Sequence, residues 1–338
     1  MELIRQRAYA RAGLIGNPSD GYSGKTISVI VRNFFAEVVL YEWEDVEIVR
    51  TFEERNRFEN VRDLVKDVEL HGYGGGARLL KASIKKFVEF ADERKLPLHD
   101  RRFSLRYTTN IPRQVGMAGS SAIIVAALRC LMAFYRIKIP REIQPSLVLR
   151  VETEELGIAA GLQDRVIQVY EGVVAMNFAR EAMKTRDGFT FGEYEPLDPA
   201  ILPPLYIAYS ADRGEPTEVL HNNLRARYLE GDPKVVEAMK KFADLTDGFR
   251  AALSRGDQDA MNRLIDENFD TRRSICQVAS MHVEMIQRAR SAGVSAKFAG
   301  SGGAIIGLCP DDATFARLRD AMGEIHCEVI RPKIIADE

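Results

Sequence analysis

One segment combines glycine and serine in a way that suits phosphate chemistry. Residues 112–122 read PRQVGMAGSSA and lead directly into an apolar stretch that predicts a buried helix over residues 120–135. Glycines let backbone N–H groups approach an anion, and the first turn of a helix offers free donors and a positive dipole end. The two serines add hydroxyls that can reach phosphate or a magnesium ion. An ordinary N-cap of a core helix explains the same residues.

A second glycine-rich segment lies near the C-terminus. Residues 299–304 read AGSGGA and separate two apolar runs that predict strands over residues 295–300 and 304–308. A tight hairpin explains this turn equally well. Two such turns in one chain nevertheless favour nucleotide or phosphate binding.

The acidic residues Glu152 and Asp164 lie twelve positions apart across a glycine-bearing segment. Asp164 follows a nearly apolar stretch, which predicts that its carboxylate is partly buried. A buried carboxylate without a partner is costly, so a functional partner is expected. Arg11, in the apolar strand predicted over residues 9–15, is a possible partner, but the sequence does not show whether the two segments are neighbours.

Residues 19–26, SDGYSGKT, nearly match the phosphate-binding P-loop pattern. Ser19 stands where the first glycine belongs, and the residues after Thr26 predict a strand. Because a P-loop must open a helix, we reject this match.

The elements that must position these residues predict an α+β protein. Alternating residues predict consecutive strands over 27–31 and 36–40, joined through Arg32 and Asn33, and helical spacing follows the glycine run 72–76 over residues 77–90. Further strands are predicted over 103–107, 205–209 and 327–332, and helices over 145–156 and 312–322. Three prolines within residues 197–204 predict a boundary between domains 1–200 and 201–338.

Composition excludes several classes of function. The 338 residues carry a net charge of −2, which argues against nucleic-acid binding, and the four cysteines include no C-x-x-C pair that would suit zinc. No apolar run approaches the length of about 20 residues that a membrane span needs. The N-terminus carries arginines and no apolar core of a signal peptide, so a cytoplasmic protein is expected.

The glycine-rich segments resemble the three motifs of the GHMP kinases in their expected order. RAGLIGNPSD at residues 11–20 resembles the first motif, residues 112–122 the second, and KFAGSGGAIIGL at residues 297–308 the third. The finer resemblance is to the glucuronokinases, through ELGIAAGLQDRV and NFDTRR, and spans residues 8–335. It implies an N-terminal domain like the second domain of ribosomal protein S5 and a ferredoxin-like C-terminal domain, with the active site between them.

The resemblance also implies a role for individual residues. Asp164 matches the catalytic aspartate and Arg11 the arginine that keeps it ionised, while Ser121 and Glu152 match magnesium ligands. Asp20 matches the acid that binds sugar hydroxyls, and Asn17 and Gly302 complete the implied substrate site. The residues implied to bind ATP are Pro112, Gly116, Ala118, Gly119, Ser120 and Ser121.

The implied reaction is ATP-dependent phosphorylation of the anomeric hydroxyl of a sugar, with Mg²⁺ and with D-glucuronate as the acceptor. Asn17 and Pro18 replace the Glu-His of galactokinases, which argues against galactose, and the second motif is one residue longer than in mevalonate kinase. A uronate carboxylate needs a cation, ideally a bidentate arginine. The available cations are Lys25, Arg113, Arg165 and Arg272.

Among these, Arg113 is favoured because it lies in the phosphate-loop segment, although it could equally contact ATP from there. Three other functions remain open: a kinase for galacturonate, a neutral sugar or a heptose phosphate, a non-catalytic regulator with the same fold, and a structural interaction protein. The set of Arg11, Ser121, Glu152 and Asp164 argues against a regulator. The sequence leaves a monomer and a homodimer equally open.

Overall fold

Helices and strands are interspersed along the chain, as the α+β prediction requires. The computed structural model describes residues 2–49, 55–58, 60–65, 77–210 and 218–336. The strands are β1 (Leu3–Ile15), β2 (Lys25–Trp43), β3 (Val46–Val49), β4 (Arg55–Phe58), β5 (Arg102–Thr109), β6 (Val173–Asn177), β7 (Lys184–Arg186), β8 (Phe189–Phe191), β9 (Glu193–Leu197), β10 (Leu205–Ser210), β11 (Lys297–Phe298), β12 (Ala304–Leu308) and β13 (Cys327–Ile330). The helices are α1 (Arg78–Glu93), α2 (Gly119–Tyr135), α3 (Gln144–Arg150), α4 (Gln163–Tyr170), α5 (Glu218–Leu229), α6 (Pro233–Arg255), α7 (Gln258–Ile275), α8 (Ser280–Ser291) and α9 (Asp312–Gly323). The glycine run at residues 72–76, which precedes α1, lies outside the described residues.

Strand β2 is the centre of a seven-stranded sheet with the order β4-β3-β5-β2-β6-β9, in which β1 also pairs with β2. The prediction of two strands joined through Arg32 and Asn33 is wrong, because β2 continues through both residues. The register against β1 shifts there instead, with Tyr9 opposite Phe35 and Ala10 opposite Val31. A bulge bends the strand without ending it, so the local break in the pattern does not become a turn.

Helix α2 packs in the core against β1 and β2. It confirms the helix predicted over residues 120–135, and α1 confirms the one predicted over residues 77–90. The helix predicted over residues 145–156 is only partly correct. Its α-helical part ends at Arg150, and the chain continues as a π-helical turn, Val151–Glu155. Such turns widen a helix locally and are frequent at functional sites.

The second half of the chain folds around a four-stranded antiparallel sheet with the order β11-β12-β10-β13. Strands β10, β12 and β13 and helix α9 confirm the predicted elements. The strand predicted over residues 295–300 is shorter, because only Lys297 and Phe298 pair with β12.

A turn of 3-10 helix, Pro199–Ile201, lies in the proline-rich segment that connects the two sheets. One cluster of buried apolar side chains nevertheless includes residues from both sheets, among them Leu14, Phe242 and Ile306. The domain boundary near residue 200 therefore stays a prediction. In the described ranges, no helix has the length and apolarity needed to cross a membrane.

The local structure of residues 19–26 agrees with our rejection of the P-loop match. Ser19–Tyr22 form one turn of 3-10 helix, and β2 begins at Lys25. The lysine and threonine of the near-match thus lie in a strand, where no helix start is available to bind a phosphate.

Candidate active site

Strand β1 and helix α4 bring Arg11 and Asp164 together across 153 sequence positions. The Arg11 Nε donates to Oδ1 of Asp164 at 2.6 Å, and Nη2 donates to Oδ2 at 2.7 Å. Arg11 is 5% exposed, whereas the Asp164 side chain is 21% exposed. The bidentate pair therefore fixes the carboxylate in a charge-assisted geometry and leaves it accessible from one side. The pairing that the sequence left open is present.

Arg11 also holds the two glycine-rich segments. Its Nη1 donates to the carbonyl of Gly116 at 2.5 Å and to that of Ala299 at 3.1 Å. The N–H of Gly13 donates to the same Ala299 carbonyl at 2.6 Å. All three sequence motifs therefore converge on one guanidinium.

The glycines in these segments are needed because the two turns pack backbone against backbone. A Cβ at Gly116, where φ is +68°, would lie 2.7 Å from the carbonyl oxygen of Gly302. A Cβ at Gly303 would lie 2.8 Å from the Cα of Val115. The turn at residues 299–304 does close a β11–β12 hairpin, as one interpretation held, but its glycines also serve this contact.

The start of α2 has no side-chain cap. Its N-cap is Ala118, which has a left-handed backbone and provides no capping side chain. The first backbone bond runs from Ala122 to Ala118, so the N–H groups of Gly119, Ser120 and Ser121 have no acceptor among the described residues. Free donors at a helix start favour an anionic ligand. The predicted phosphate-binding residues therefore lie where such a ligand would bind.

Helix α4 aligns this helix start with the buried acid Glu152. Gln168 donates to the carbonyl of Ala118 at 2.8 Å, while Arg165 donates from Nε to Glu152 at 2.6 Å. Arg165 and Gln168 are three positions apart and so lie on one helix face. Burial raises the pKa of Glu152, and the Arg165 charge opposes that rise.

The π-helical turn that carries Glu152 is held from outside by helix α1. Lys85 donates to both carboxylate oxygens of Glu155 at 2.8 Å, and Lys86 contacts Glu154 at 2.8 Å. Glu155 has only 8% of its side chain exposed. These ion pairs fix the turn and therefore the position of Glu152.

Asp20 lies beside the catalytic candidate and is only partly exposed. Its Oδ2 accepts a hydrogen bond from the N–H of Gln163 at 3.2 Å. Burial, and secondarily the charge of Asp164, raise the pKa of Asp20 to about 6. An acid with this pKa is close to its protonation point near neutral pH, which is common at functional sites.

Asn17 and Gly302, two residues of the implied substrate site, both contact other parts of the protein. The buried Asn17 amide donates to the carbonyl of Phe298 at 3.2 Å, and its oxygen accepts from Lys297. Asn17 is 5% exposed, so its side chain is not presented to a sugar, and we assign it a positioning role. At Gly302, a Cβ would lie 2.9 Å from the ring of His282.

The four cations considered for a substrate carboxylate differ sharply in their surroundings. Lys25 pairs with Asp247 at 2.6 Å, and Arg165 is committed to Glu152. Arg113 is exposed in the loop before α2. Arg272 is buried, and its two Nη atoms donate to the carbonyls of Gly300 at 2.7 Å and Ser301 at 3.0 Å.

Sequence reasoning missed several buried side chains that join the motifs. Lys297 donates to the carbonyls of Gly13 at 2.6 Å and Phe298 at 2.8 Å. Asn268 accepts from the N–H of Gly16 at 2.7 Å and donates to the Asn17 carbonyl at 3.1 Å. The NFDTRR segment contained a signal, since Asn268 and Arg272 are four positions apart and share a helix face.

No group of three or more histidine, cysteine, aspartate or glutamate side chains that could hold a metal ion occurs within the described ranges.

Comparison with known proteins agrees with the motif order. The family models "GHMP kinases N terminal domain" and "GHMP kinases C terminal" match residues 72–172 and 249–328. Glucuronokinase 1 of Arabidopsis thaliana is 41% identical over 322 residues, which cover 93% of this chain and 87% of that protein. Probable glucuronokinase 2 of the same plant is 42% identical, covering 94% of this chain and 87% of its own. A Lactococcus lactis galactokinase complexed with galactose superposes with a TM-score of 0.79 at 16% identity, covering 98% of this chain and 94% of that one.

Proposed function

The chain belongs to the GHMP kinases, and from that membership we propose that it transfers the γ-phosphoryl group of ATP to the anomeric hydroxyl of D-glucuronate. The observation that carries the proposal is the Arg11–Asp164 pair at the point where the helix start and both glycine turns meet. The identity of 41–42% to two glucuronokinases supports the choice of sugar.

Asp164 is the group that we assign to the acceptor hydroxyl. Its carboxylate, held by two hydrogen bonds from Arg11, would accept or orient the proton of the C1 hydroxyl as the oxygen attacks the γ-phosphorus. Arg11 stabilises the ionised form of Asp164 and fixes its direction. Because phosphoryl transfer passes through a loose transition state, such positioning supplies much of the rate enhancement.

The helix start and the loop before it would bind the nucleotide phosphates. The free N–H groups of Gly119, Ser120 and Ser121 point out of the first turn of α2, where the helix dipole favours negative charge. The approach of Gly116 to Gly302 would let the loop lie against the polyphosphate without a side chain between them.

Ser121 and Glu152 fit the oxygen donors that Mg²⁺ requires. The Arg165 bonds engage Oε2 of Glu152, and the Ser121 hydroxyl donates to the Ala118 carbonyl at 3.2 Å, which leaves its oxygen lone pairs available. Magnesium at this place would neutralise charge on the transferring phosphoryl group, and phosphate oxygens and water would complete its shell.

We assign Asp20 to accept hydrogen bonds from sugar hydroxyls. It lies beside Asp164, whose charge contributes to its raised pKa, and Gln163 orients one of its oxygens. A ring held by Asp20 would direct its C1 hydroxyl to Asp164.

The proposal is tested by incubating the purified protein with Mg·ATP and a set of acceptors. The set contains glucuronate, galacturonate, glucose, galactose and a heptose phosphate, with ADP release measured and the product examined by phosphorus NMR. We expect turnover with glucuronate and a phosphate ester at C1.

Turnover of only a neutral sugar or a heptose phosphate would keep the kinase and remove glucuronate as acceptor. ATP binding without turnover of any acceptor would support the regulator instead. A product phosphorylated at a carbon other than C1 would contradict the assignment of Asp164 to the anomeric hydroxyl.

A further inference from the structure

Arg272 is a buried cation without a carboxylate partner in the described part of the chain. It is 5% exposed, and its two Nη atoms are balanced only by the carbonyl dipoles of Gly300 and Ser301. Its guanidinium carbon lies 5.0 Å from the centre of the Phe298 ring. Burial lowers the pKa of Arg272, although an arginine remains charged. A buried charge of this kind is costly, and an anion would relieve the cost.

Arg272 lines a pocket that adjoins the proposed sugar site. Pro18, two positions from Asp20, forms one wall, and Ser301 of the third motif forms another. The rest of the lining mixes apolar side chains such as Leu224 and Phe298 with the polar Gln277 and His282, so an anion that entered would lose part of its water and interact with the arginine. We call this the Arg272 pocket; its lining includes Pro18, Leu224, Arg272, His282, Phe298 and Ser301.

A second arginine lies at this end of the site. Arg225 is exposed on α5, next to Leu224 of the pocket lining. Tyr228, one turn further along the same helix, contacts the Tyr22 ring edge-on at 4.9 Å and donates from its hydroxyl to the Tyr22 carbonyl. Residues three apart share a helix face, so Arg225 is directed toward Tyr22.

Tyr22 interacts electrostatically with both arginines and with Asp20, the acid that we assign to the sugar hydroxyls. Burial, and next the Asp20 charge, raise the pKa of Tyr22 to about 12, while the charges of Arg225 and Arg272 oppose the rise. Asp20 in turn is affected by Asp164. Arg272 is also close to the catalytic candidate: it donates to the Gly300 carbonyl at 2.7 Å, and a Cβ at Gly300 would lie 2.7 Å from Nη1 of Arg11, the arginine that holds Asp164.

This proximity matches the chemistry of a uronate. In its pyranose form C1 and C5 are both bonded to the ring oxygen, so the C6 carboxylate lies near the C1 hydroxyl and both can be bound within one site. We propose that the Arg272 pocket, together with Arg225 at its edge, binds the C6 carboxylate of the sugar. The inference rests on the proposed function, because it takes the C1 hydroxyl to be held at Asp164.

The neighbouring cations are already engaged. Lys25 is paired with Asp247, Arg165 with Glu152, and Lys297 with carbonyl and amide oxygens. Arg113 precedes the helix start that would bind phosphate, so it lies on the nucleotide side. Arg272 and Arg225 therefore replace Arg113 as the residues that select a carboxylate.

The test compares D-glucuronate with its uncharged amide, glucuronamide, as acceptors. We expect Arg225→Gln and Arg272→Lys each to lower kcat/KM for glucuronate by about tenfold to a hundredfold, mostly through KM. Turnover of glucuronamide should change by less than about threefold, because it carries no charge for the arginine to pair with. The matched control is Arg273→Gln, which removes an exposed arginine from the next position of the same helix and should leave both values unchanged.

A purely structural role for Arg272 would lower turnover of both acceptors equally and would overturn the inference for that residue. If Arg272→Lys fails to fold, Arg225→Gln decides the matter, since Arg225 makes no hydrogen bond or ion pair within the described residues and its loss should be tolerated.

The outcome for the wild-type protein separates this inference from the proposed function. A wild-type protein that uses only neutral sugars would overturn both. A wild-type protein that uses glucuronate, with its preference over glucuronamide unchanged in both arginine variants, would overturn the carboxylate pocket alone.

Discussion

The proposed nucleotide end and the proposed sugar end of the site are built from different parts of the chain. At the nucleotide end the donors are backbone N–H groups at the start of α2, and the contacts between loops are backbone contacts at glycines. At the sugar end the groups are side chains: Asp20, Tyr22, Arg225 and Arg272.

This difference explains why one fold can serve many acceptors. A phosphate-binding backbone depends on glycine and helix geometry and tolerates change elsewhere, whereas a sugar pocket changes its specificity with each side chain. The superposition on a galactokinase structure at 16% identity shows that the fold is shared although few residues are.

The largest effect is expected at Asp164, where the two ends meet. Asp164→Asn should lower kcat by about 10²- to 10⁴-fold, because the neutral amide cannot accept the hydroxyl proton. ATP binding, measured by titration calorimetry, should change little. Substantial residual turnover would show that Asp164 only orients the acceptor. A matched control is Asp257→Asn, a change at a partly exposed helix cap remote in sequence from the motifs.

Gly116→Ala should disrupt the packing of the two glycine-rich turns at the nucleotide end. The added Cβ would lie 2.7 Å from the Gly302 carbonyl, and the backbone has φ of +68°, so the loop must move. We expect KM for ATP to rise about tenfold to a hundredfold, consistent with about 2 kcal/mol of strain, and KM for the sugar to rise less.

The control for that substitution is Gly323→Ala, where a Cβ would meet no atom within 4 Å and the backbone is not left-handed. It should leave both KM values unchanged. Equal increases in the two KM values of Gly116→Ala would contradict the separation of the two ends.

Asp20 gives the sugar end a pH dependence. With a pKa of about 6 in the free protein, it must lose its proton before it can accept hydrogen bonds from two hydroxyls. The value of kcat/KM for glucuronate should therefore fall about tenfold per pH unit below 6 and level off above it. The comparison is a pH profile of Asp20→Asn, which should be lower and lack this step.

The same carboxyl group should reduce stability at neutral pH. Because folding raises its pKa, the folded protein binds the proton more tightly, and stability decreases as pH rises from about 4 through 6. Asp20→Asn removes that ionisation, so it should melt at a higher temperature than the wild type at pH 7.5. The difference should shrink at pH 5, and a lower melting temperature at pH 7.5 would argue against a strained carboxylate.

The smallest expected effect concerns Glu152, the side chain that we propose as a magnesium ligand at the nucleotide end. Lys85→Met removes one of the ion pairs that hold its π-helical turn, while Lys86 still contacts Glu155 at 3.0 Å. We expect the Mg²⁺ concentration for half-maximal activity to rise only about two- to fivefold, since the Lys86 ion pairs with Glu154 and Glu155 still hold the turn. Lys138→Met, at an exposed lysine, should have no effect.

Local features of the chain could be predicted from the sequence. The helix over Gly119–Tyr135 follows from an unbroken apolar run, and the rejected P-loop follows from the strand that begins at Lys25. These features depend on neighbours within a few residues, so propensity and periodicity suffice. The bulge near Arg32 was misread because a bulge and a turn disturb the alternation in the same way.

By itself, the amino-acid sequence determined the α+β class, the two glycine-rich turns and the kinase motifs, because each is a property of contiguous residues. Only the tertiary structure decided that Arg11 pairs with Asp164, that Asn17 is turned inward to Lys297, and that Arg165 is committed to Glu152. It also left Arg272 buried, with no carboxylate partner among the residues that the structure describes. The reason is physical: whether a charge is paired depends on which distant segments pack against it, and no local pattern encodes that distance.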